Sequence, residues 1–522
     1  MEKFPNMRNM SKIFPEETDS VEKLLSSIVE GEFTKDGRKL VINDSFSCSR
    51  TELQSLVGGP AIIRGNFFSS FNELQSLIGA PHIIEGSLYC SHNPELISLE
   101  GSPREIGGDL YCSNNTKLAS LAGAPLAVGG NFSCSNTGIA SLKGSPQKVS
   151  NNFICSRNPD LTSLEGAPET VGDNFDCRHN FRLTSLKGAS QKIGGSFICY
   201  NTGITSLEGS PQNVGNNFIC SRNPYLTSLK GAPKSVGHHF DCSDNLELKS
   251  LEGGPQEIGD DFNCSHNSRL TSLKGAPLEI KGSFICSNTG ITSLEYSPQK
   301  VRFNFNYSRN PYLTSLEGAP EKVEHHFDCS GNLKLSSLKG GPKDVGGNFT
   351  CSNTGITSLE SSPLKIDYDF NCSRNPDLIS LKGAPKIVGR HFDCSDNLEL
   401  KSLEGGPHEV GGSFTCSNTG ITSLEGSPQT VGSDFNCCRN PALTALVKIN
   451  FYIHEIDGHA DFTGTPIKSN ILGLLKIRNL KRIVFDDKKL EVIMNKHLPM
   501  GNICECMDDL LDAGFSKEYC KW

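Results

Sequence analysis

The residues of this chain that could most readily take part in chemistry are its cysteines. Seventeen of the 21 cysteines occupy the third position of a recurring Phe-x-Cys triplet, such as Phe153-Ile154-Cys155. Regular cysteines can form disulfides or hold a metal, but the repeat contains neither Cys-x-x-Cys pairs nor the spacing of a two-cysteine, two-histidine zinc site. Cysteine also packs as a small buried hydrophobic residue. We therefore predict that these thiols line a core and stay reduced.

Histidine and aspartate accompany the cysteine in two copies, His238–Cys242 and His325–Cys329, and could suggest a metal centre. The copies start 87 residues apart, which is four repeats and about 19 Å if neighbouring strands lie 4.8 Å apart. Within one copy, only His239 and Asp241 share a strand face, whereas zinc needs three or four protein ligands. We therefore predict no metal site and no cofactor.

Other catalytic patterns are missing from the sequence, including GxSxG, the Walker loop, HExxH and a dinucleotide fingerprint. Lys plus Arg number 50 against 58 Asp plus Glu, a net charge of −8 that offers no basic field for nucleic acid. An arginine that recurs at Arg157, Arg222 and Arg309 fits duplication of a solvated position. We predict that the protein is not an enzyme, has no small-molecule substrate and does not bind nucleic acid.

The start of the chain carries charge and proline where a signal peptide needs an apolar stretch. No segment reaches the roughly 18 apolar residues of a membrane span. Many reduced thiols favour a reducing compartment. We expect a protein without a membrane partner, located in the cytoplasm.

A repeat positions all these residues. The segment Phe240–Pro255 recurs letter for letter at Phe392–Pro407. The phenylalanine position recurs in 19 copies from Phe46 to Phe435, 389 residues apart, so the 18 steps average about 21.6 residues. One unit reads V-x-x-x-F-x-C-S-x-N-x-x-L-T-S-L-x-G-x-P, as in residues 149–168. A unit of this length holds one strand and a return path, so it must stack on its neighbours to bury its apolar residues.

The unit resembles the leucine-rich repeat, in particular the short units of bacterial and phage proteins of that family. Its Phe153-x-Cys155-x-x-Asn158 matches the family's L-x-L-x-x-N strand, with Val149 before it and Leu161 and Leu164 after it. The resemblance implies a repeat solenoid, shaped as a horseshoe or superhelix of parallel short strands with little helix, that binds partners on its strand-lined face.

Two departures from the family's pattern leave a straighter parallel β-helix as the alternative fold. One extra residue separates Val149 from Phe153, and the step from the asparagine to the next leucine is three residues rather than two. Short units that read CSNTGI also place their asparagine one position early, at Asn136 for example. A continuous asparagine ladder is therefore not expected from the sequence.

Three regions follow from the extent of the repeat. Residues 1–38 form an N-terminal segment with a capping helix predicted over 18–30. Residues 39–446 form the solenoid of about 19 units. Residues 447–522 form an α-rich C-terminal cap or small module, with helices predicted at about 469–479, 487–497 and 502–513 and a strand at 481–485.

The residue between phenylalanine and cysteine faces away from the core, because side chains alternate along a strand. In the first half of the array this position holds a series of apolar residues, interrupted at Ser133 and Asp176, whereas later copies are polar. β-Favouring residues suit any strand, but clustered exposed apolar side chains also indicate an interaction surface. The candidate partner-binding residues are Phe68, Tyr89, Tyr111, Ile154, Ile198 and Ile219.

These observations predict a non-enzymatic repeat scaffold that binds a protein partner through its strand-lined face. A phage or bacterial origin, which only the resemblance implies, would make the partner a host factor and the location the host cytoplasm. The alternative is a structural component of a virion or a surface assembly.

The arrangement of the thiols gives a first testable prediction. Cysteines on neighbouring strands project in parallel, which opposes disulfide geometry although their spacing is compatible with it. Thiol titration of the denatured chain should therefore find the 17 repeat cysteines reduced. Finding most of them in disulfides would contradict both the strand arrangement and the cytoplasmic location.

Overall fold

The computed structural model describes residues 33–36 and 39–521, so the helix predicted over 18–30 lies outside the described residues. The chain divides into two units. The first unit comprises the residues up to Leu248 together with Glu252–Gly259, and the second comprises Lys249–Leu251 and the chain from Asp260 onwards.

Within each unit, successive repeats contribute two short parallel strands. One strand starts at the phenylalanine of Phe-x-Cys and pairs in register with the next repeat, so that Phe153 faces Phe175. The other strand ends at the valine position of the motif, so that Val149 faces Val171. We call these two arrays the Phe ladder and the Val ladder. The predicted parallel repeat solenoid is confirmed, and the Val ladder is a second strand per repeat that the sequence analysis did not predict.

In the first unit, an antiparallel hairpin of Phe33–Asp36 and Lys39–Ile42 joins the Val ladder. The remaining Val-ladder strands are Ile62–Ile63, Ile83–Ile84, Glu105–Ile106, Ala127–Val128, Lys148–Val149, Thr170–Val171, Lys192–Ile193, Asn213–Val214, Ser235–Val236 and Glu257–Ile258. The Phe-ladder strands are Phe46–Ser47, Phe67–Phe68, Leu88–Tyr89, Leu110–Tyr111, Phe132–Ser133, Phe153–Ile154, Phe175–Asp176, Phe197–Ile198, Phe218–Ile219 and Phe240–Asp241.

In the second unit, the Phe-ladder strands are Phe262–Asn263, Phe284–Ile285, Phe305–Asn306, Phe327–Asp328, Phe349–Thr350, Phe370–Asn371, Phe392–Asp393, Phe414–Thr415, Phe435–Asn436, His459–Asp461 and Arg482–Val484. The Val ladder consists of two sheets. One sheet contains Glu279–Ile280, Lys300–Val301, Lys322–Val323 and Asp344–Val345, and the other contains Lys365–Ile366, Ile387–Val388, Glu409–Val410, Thr430–Val431 and Glu455–Ile456.

The core of each repeat lies between its two strands and its turn. Phe153, Cys155, Leu161 and Leu164 are all 0% exposed. The phenylalanine rings of neighbouring repeats stack, with 5.1 Å between the ring centroids of Phe153 and Phe175. Complete burial of one such side chain contributes about 1.5–3 kcal/mol, so stability accumulates repeat by repeat along the array.

The turn that follows the leucines favours a glycine. At Gly166 the backbone has φ of 88°, and an added Cβ would lie 2.5 Å from the Lys143 Cα of the preceding repeat. Both the left-handed conformation and this close approach disfavour a larger residue, although Tyr296 and Ser361 occupy the same turn position with positive φ. The Gly-x-Pro of the motif therefore brings the chain back toward the next Val-ladder strand.

A ladder of side-chain hydrogen bonds runs beside the Phe ladder. In a long repeat, Asn158 Nδ2 donates to the Cys155 carbonyl at 2.8 Å. The Asn158 N–H in turn donates to Asn180 Oδ1 of the next repeat at 2.7 Å. Both asparagines are completely buried, so each satisfies backbone groups that would otherwise lack a partner in the core.

In the short repeats, threonine and not asparagine continues this ladder. The Thr137 N–H donates to Asn158 Oδ1 at 2.7 Å, and the Thr137 hydroxyl lies 2.9 Å from the same oxygen and 3.1 Å from the Cys134 carbonyl. Asn136 is exposed and has φ of 55°. A continuous asparagine ladder is therefore absent from the short repeats, as the sequence indicated, and threonine holds the buried position instead. In short and long repeats alike, one residue in the left-handed conformation precedes that position.

The Phe ladder continues beyond the last recognisable copy of the motif at Leu446. Ala460 takes the phenylalanine position opposite Phe435, and Ile483 faces Ala460 in the next strand. The Thr465 hydroxyl donates to the Cys437 carbonyl at 2.8 Å and so occupies the place of the asparagine. Two further strands with a different sequence therefore prolong the ladder.

Helices cover the end of the ladder. The described residues of this region contain α1 (Ile449–Tyr452), α2 (Lys488–His497) and α3 (Ile503–Asp512), with 3₁₀ turns at Leu472–Lys476 and Leu498–Met500. From α2, Asn495 bonds both backbone groups of Ile483, with 2.8 Å to its nitrogen and 2.7 Å to its oxygen. The side chain of Asn495 thus takes the place that a further strand would occupy at this edge.

The hydrogen-bonded ladder predicts different outcomes for two adjacent residues. Replacing Thr137 by valine keeps the shape of the side chain but removes the hydroxyl from a buried site. The free energy of unfolding should fall by about 1–3 kcal/mol, the cost of a buried polar group without a partner. Guanidinium-induced unfolding followed by circular dichroism measures this change.

The matched control is Asn136→Gly, since glycine adopts the left-handed conformation at no steric cost. This control should leave the unfolding midpoint nearly unchanged. A larger effect of Asn136→Gly than of Thr137→Val would contradict the assignment of Thr137 to the ladder.

Candidate functional site

The apolar candidates of the sequence analysis lie on the strand face opposite the buried phenylalanines and cysteines of the first unit. All six of these side chains are partly exposed. Their alignment follows from the register of the Phe ladder, in which Phe68 faces Tyr89 and Tyr89 faces Tyr111. We call the series Phe68, Tyr89, Tyr111, Ile154, Ile198 and Ile219 the apolar stripe.

Three stacked aromatic rings begin the apolar stripe. The ring centroids of Phe68 and Tyr89 lie 4.8 Å apart, and those of Tyr89 and Tyr111 lie 5.3 Å apart. Partial burial raises the pKa of Tyr89, so its hydroxyl stays protonated at neutral pH. Asn131 Nδ2 donates to the Tyr111 hydroxyl at 3.4 Å. The rings are therefore held in place before any partner arrives.

A second stack, which the sequence analysis missed, begins one repeat earlier and shares two repeats with the first. The rings of Phe71 and His92 stack with 4.3 Å between centroids, and the Arg50 guanidinium carbon lies 4.7 Å from the centre of the Phe71 ring. All three residues have positive φ; Phe71 and His92 each precede a buried asparagine, and Arg50 precedes a threonine at the equivalent position. Their periodic spacing was visible in the sequence, but the left-handed conformation that turns them outward was not.

A buried carboxylate interrupts the apolar stripe at Asp176, which stands between Ile154 and Ile198 in the register. Asp176 is only 7% exposed. Its Oδ1 accepts the N–H of Arg178 at 3.1 Å, and its Oδ2 lies 3.2 Å from Arg178 Nε. Burial raises the pKa of Asp176, and the hydrogen bond and charge of Arg178 offset only part of that shift. The ionised carboxylate is therefore costly at this site.

Arg178 connects Asp176 to a small aromatic cluster. Its Nη1 donates to the Tyr200 hydroxyl at 3.3 Å, and the His179 ring meets Tyr200 edge-on at 5.1 Å between centroids. His179 Nδ1 also lies 2.8 Å from Asn201 Nδ2. Burial and then the nearby arginines lower the pKa of His179, so its ring favours the neutral form. Arg178 and Tyr200 both stand where most repeats have serine, and these two departures in successive repeats were a sequence signal for this cluster.

The cysteines of the Phe-x-Cys column are buried behind this face. Burial raises the pKa of the Cys90 thiol to about 12 and that of Cys48 to about 12. A thiol with such a pKa is protonated at neutral pH, whereas nucleophilic attack and metal binding both require the thiolate. These side chains therefore act as core residues.

Comparison with known proteins supports the fold. No protein-family model matches the chain, and no curated protein matches it either. Among solved structures, YopM from Yersinia enterocolitica WA-314 is similar over 85% of this chain and 91% of its own, with 20% sequence identity and a TM-score of 0.51. The fold is that of a short-unit leucine-rich-repeat protein.

A second solved structure was matched over a smaller part of the chain. The functional domain of InlJ from Listeria monocytogenes, which includes a cysteine ladder, matches 60% of this chain and 70% of its own at 17% identity, with a TM-score of 0.19. Among the described residues, no helix is both long and apolar enough to cross a bilayer.

The buried carboxylate of the leucine-rich-repeat face yields a prediction about pH. Because the folded-state pKa of Asp176 is raised, folding takes up protons, and stability falls as pH rises from the ordinary aspartate pKa through the folded value. The ion pair with the partly exposed Arg178 offsets little of this loss of stability. Asp176→Asn should therefore raise the melting temperature at pH 7, and this gain should disappear near pH 3.

Asp328→Asn provides the control, since Asp328 holds the same strand position and accepts the same backbone hydrogen bond, from Ser330, but is partly exposed. This control should show no comparable gain at pH 7. A lower melting temperature for Asp176→Asn than for the native chain at pH 7 would show that the ion pair outweighs the cost of burial.

Proposed function

We propose that this protein is a non-enzymatic repeat scaffold that binds a protein partner through the apolar stripe of its first unit. The observation that carries the proposal is the stack of Phe68, Tyr89 and Tyr111, whose rings are partly exposed on a strand face that the core does not need. Extended surfaces of this kind are what repeat proteins use for binding.

The composition of the face suits a protein surface. Tyrosine supplies a large contact area and a polar tip, and both tyrosine and arginine are enriched where interfaces gain most of their energy. The stacked rings and the Asn131 hydrogen bond fix the side chains in advance, so binding them costs little conformational entropy. Phe71 and His92 add a polar and aromatic border on the repeats of Phe68 and Tyr89, and Arg50 extends this border to the preceding repeat.

The effect of Asp176 on the stability of the folded chain supports the same proposal. An ionised carboxylate buried between Ile154 and Ile198 lowers stability, as its raised pKa indicates. Residues that lower the stability of the fold in this way are typical of functional sites. A partner that donates a hydrogen bond to Asp176 would recover part of the lost solvation, so we place this residue within the binding surface.

The finer parts of the proposal concern location and origin. Protonated buried thiols support a cytoplasmic protein, because a reducing compartment keeps such thiols free. A phage or bacterial origin with a host protein as partner is proposed from the sequence resemblance alone. No contact among the described residues supports the alternative, which is a structural component of a virion or of a surface assembly.

For the domain organisation, we propose that residues 447–522 cap the solenoid. The support is the pair of hydrogen bonds from Asn495 to the edge strand at Ile483. Glu491 adds to it by accepting the Phe485 N–H at 3.3 Å while Arg482 and Lys488 hold its carboxylate. An uncovered strand edge invites pairing with other chains, and these contacts occupy that edge. Residues 1–38 and 39–446 keep their proposed roles as N-terminal segment and solenoid.

The proposal predicts that Tyr89→Ser combined with Tyr111→Ser abolishes binding of the partner. Each ring at a hot spot contributes about 2 kcal/mol, or roughly 30-fold in affinity. The partner is first captured by the intact chain from extracts of the cells that make it, identified by mass spectrometry and then titrated against each variant.

Folding must be followed in the same experiment, since each lost ring contact costs about 0.5–1.5 kcal/mol of stability. Tyr225→Ser is the control: it removes an aromatic ring that is 62% exposed and stands outside the apolar stripe. Undiminished affinity in the folded double variant would place the binding site elsewhere. Loss of affinity in both variants would also count against the stripe.

A further inference from the structure

One column of residues in the second unit is turned outward by its backbone. In each repeat, the residue before the buried asparagine or threonine has positive φ, with 57° at Arg309, 70° at Gly331, 54° at Asn353, 58° at Arg374 and 59° at Asp396. Their side chains leave the strand face at fixed intervals. Neighbouring members of the column can therefore pair across repeats.

Arginine and aspartate form such pairs where both occur in successive repeats. Arg374 Nε lies 3.4 Å from Asp396 Oδ2, and in the first unit Arg222 Nε lies 3.6 Å from Asp244 Oδ2. Arg309 has a glycine, Gly331, at the position where Arg374 has Asp396 and Arg222 has Asp244, and Arg439 likewise has a glycine in the next repeat. Within the described residues, the Arg309 guanidinium consequently has no carboxylate partner.

Gly331 also leaves space beside Arg309. A Cβ at Gly331 would lie 3.0 Å from Arg309 Cγ, so the arginine stem passes directly over the glycine. From here a groove of about 710 Å³ extends to Asp393 and Asp396. Its lining includes Leu333 and the serines Ser330, Ser352, Ser373 and Ser395.

The two ends of this groove carry opposite charges that lack partners. Asp393 Oδ1 accepts the Ser395 N–H at 2.9 Å, and no cation pairs with Asp393 anywhere in the part of the chain that the structure describes. Arg309 and Asp393 stand four repeats apart, about 19 Å at 4.8 Å per strand. An extended peptide covers that distance in about six residues.

We infer that this groove binds an extended segment of a protein partner, with an acidic residue at Arg309 and a basic residue about six positions away at Asp393. Serine hydroxyls along the floor can bond the peptide backbone, and Leu333 offers an apolar contact at the rim. A free phosphate group suits the site less, because Asp393 and Asp396 would repel it. The site is separate from the apolar stripe and goes beyond the proposed function.

The test uses random dodecapeptides displayed on phage and selected against the full chain. Selected sequences should share an acidic and a basic residue about six positions apart. Synthetic fluorescent copies are then titrated by fluorescence polarisation. Failure to enrich any such pattern would overturn the inference.

Two substitutions of one residue separate charge from bulk. Gly331→Asp should weaken peptide binding at least tenfold, because the new carboxylate would pair with Arg309 as Asp396 pairs with Arg374. Gly331→Asn should bind within about threefold of the native chain. Aspartate and asparagine both occupy this left-handed position elsewhere, at Asp396 and Asn353, so each variant should fold. An equal loss with asparagine would show that bulk and not charge is responsible, and would overturn the inference.

A charge reversal tests the other end. Asp393→Lys should weaken binding of the selected peptides and restore it for copies in which the basic residue is replaced by glutamate. Binding of the peptides should be unchanged by the Tyr89→Ser and Tyr111→Ser substitutions. The experiments therefore distinguish an error in the proposed role of the apolar stripe from an error in the proposed role of the groove. Unaltered preference in Asp393→Lys would overturn the assignment of that end.

Discussion

Satisfaction of buried backbone groups is the constraint on which this structure depends. The chain leaves each Phe-ladder strand within the core, where the Cys155 carbonyl and the Asn158 N–H could not reach water. Asn158 and its neighbour Asn180 bond these groups across successive repeats. Each unpaired group would cost about 1–3 kcal/mol. A buried amide or hydroxyl at this one position is thus a condition for stacking at all, and the phenylalanine stack adds stability to an array that these bonds permit.

The same register controls what the surface can present. Because each repeat places its residues directly beside those of the next, a substitution at one motif position extends or interrupts a column. Aromatic residues between phenylalanine and cysteine give the stack of Phe68, Tyr89 and Tyr111 in the first unit. In the second unit, Gly331 in the left-handed column leaves Arg309 without a carboxylate partner among the described residues. The surfaces proposed for binding therefore arise from exchanges at positions that the fold leaves free, without any change in the backbone.

The buried half of the structure could be predicted from the sequence, since alternation along a strand is enough to place Phe153 and Cys155 together. The exposed half could be predicted only in part. The strand face of Tyr89 followed from the same alternation, but the outward column of Phe71, His92 and Arg309 depends on a left-handed residue that spacing alone does not show. For the same reason, the role of Thr137 at the ladder position of the short repeats could not be predicted. Burial of Asp176 depends on the side chains around it, and no linear pattern encodes that.

At the end of the array, the backbone groups of the last strand find their hydrogen-bond partners in a different way. Inside the ladder, neutral asparagine and threonine side chains of the same or the next repeat bond the backbone, as at Asn158 and Asn180. After Arg482–Val484 there is no next repeat, and Asn495 of α2 supplies the missing amide to Ile483. Glu491 accepts the Phe485 N–H beside it, and hydrogen bonds from Lys488 and Arg482 lower its pKa to about 2. A carboxylate with a lowered pKa stabilises the folded chain at pH values above its ordinary pKa, and this contribution is lost as pH falls toward 2. The edge thus depends on charge where the interior does not, so acid should release the cap before it disturbs the neutral ladder.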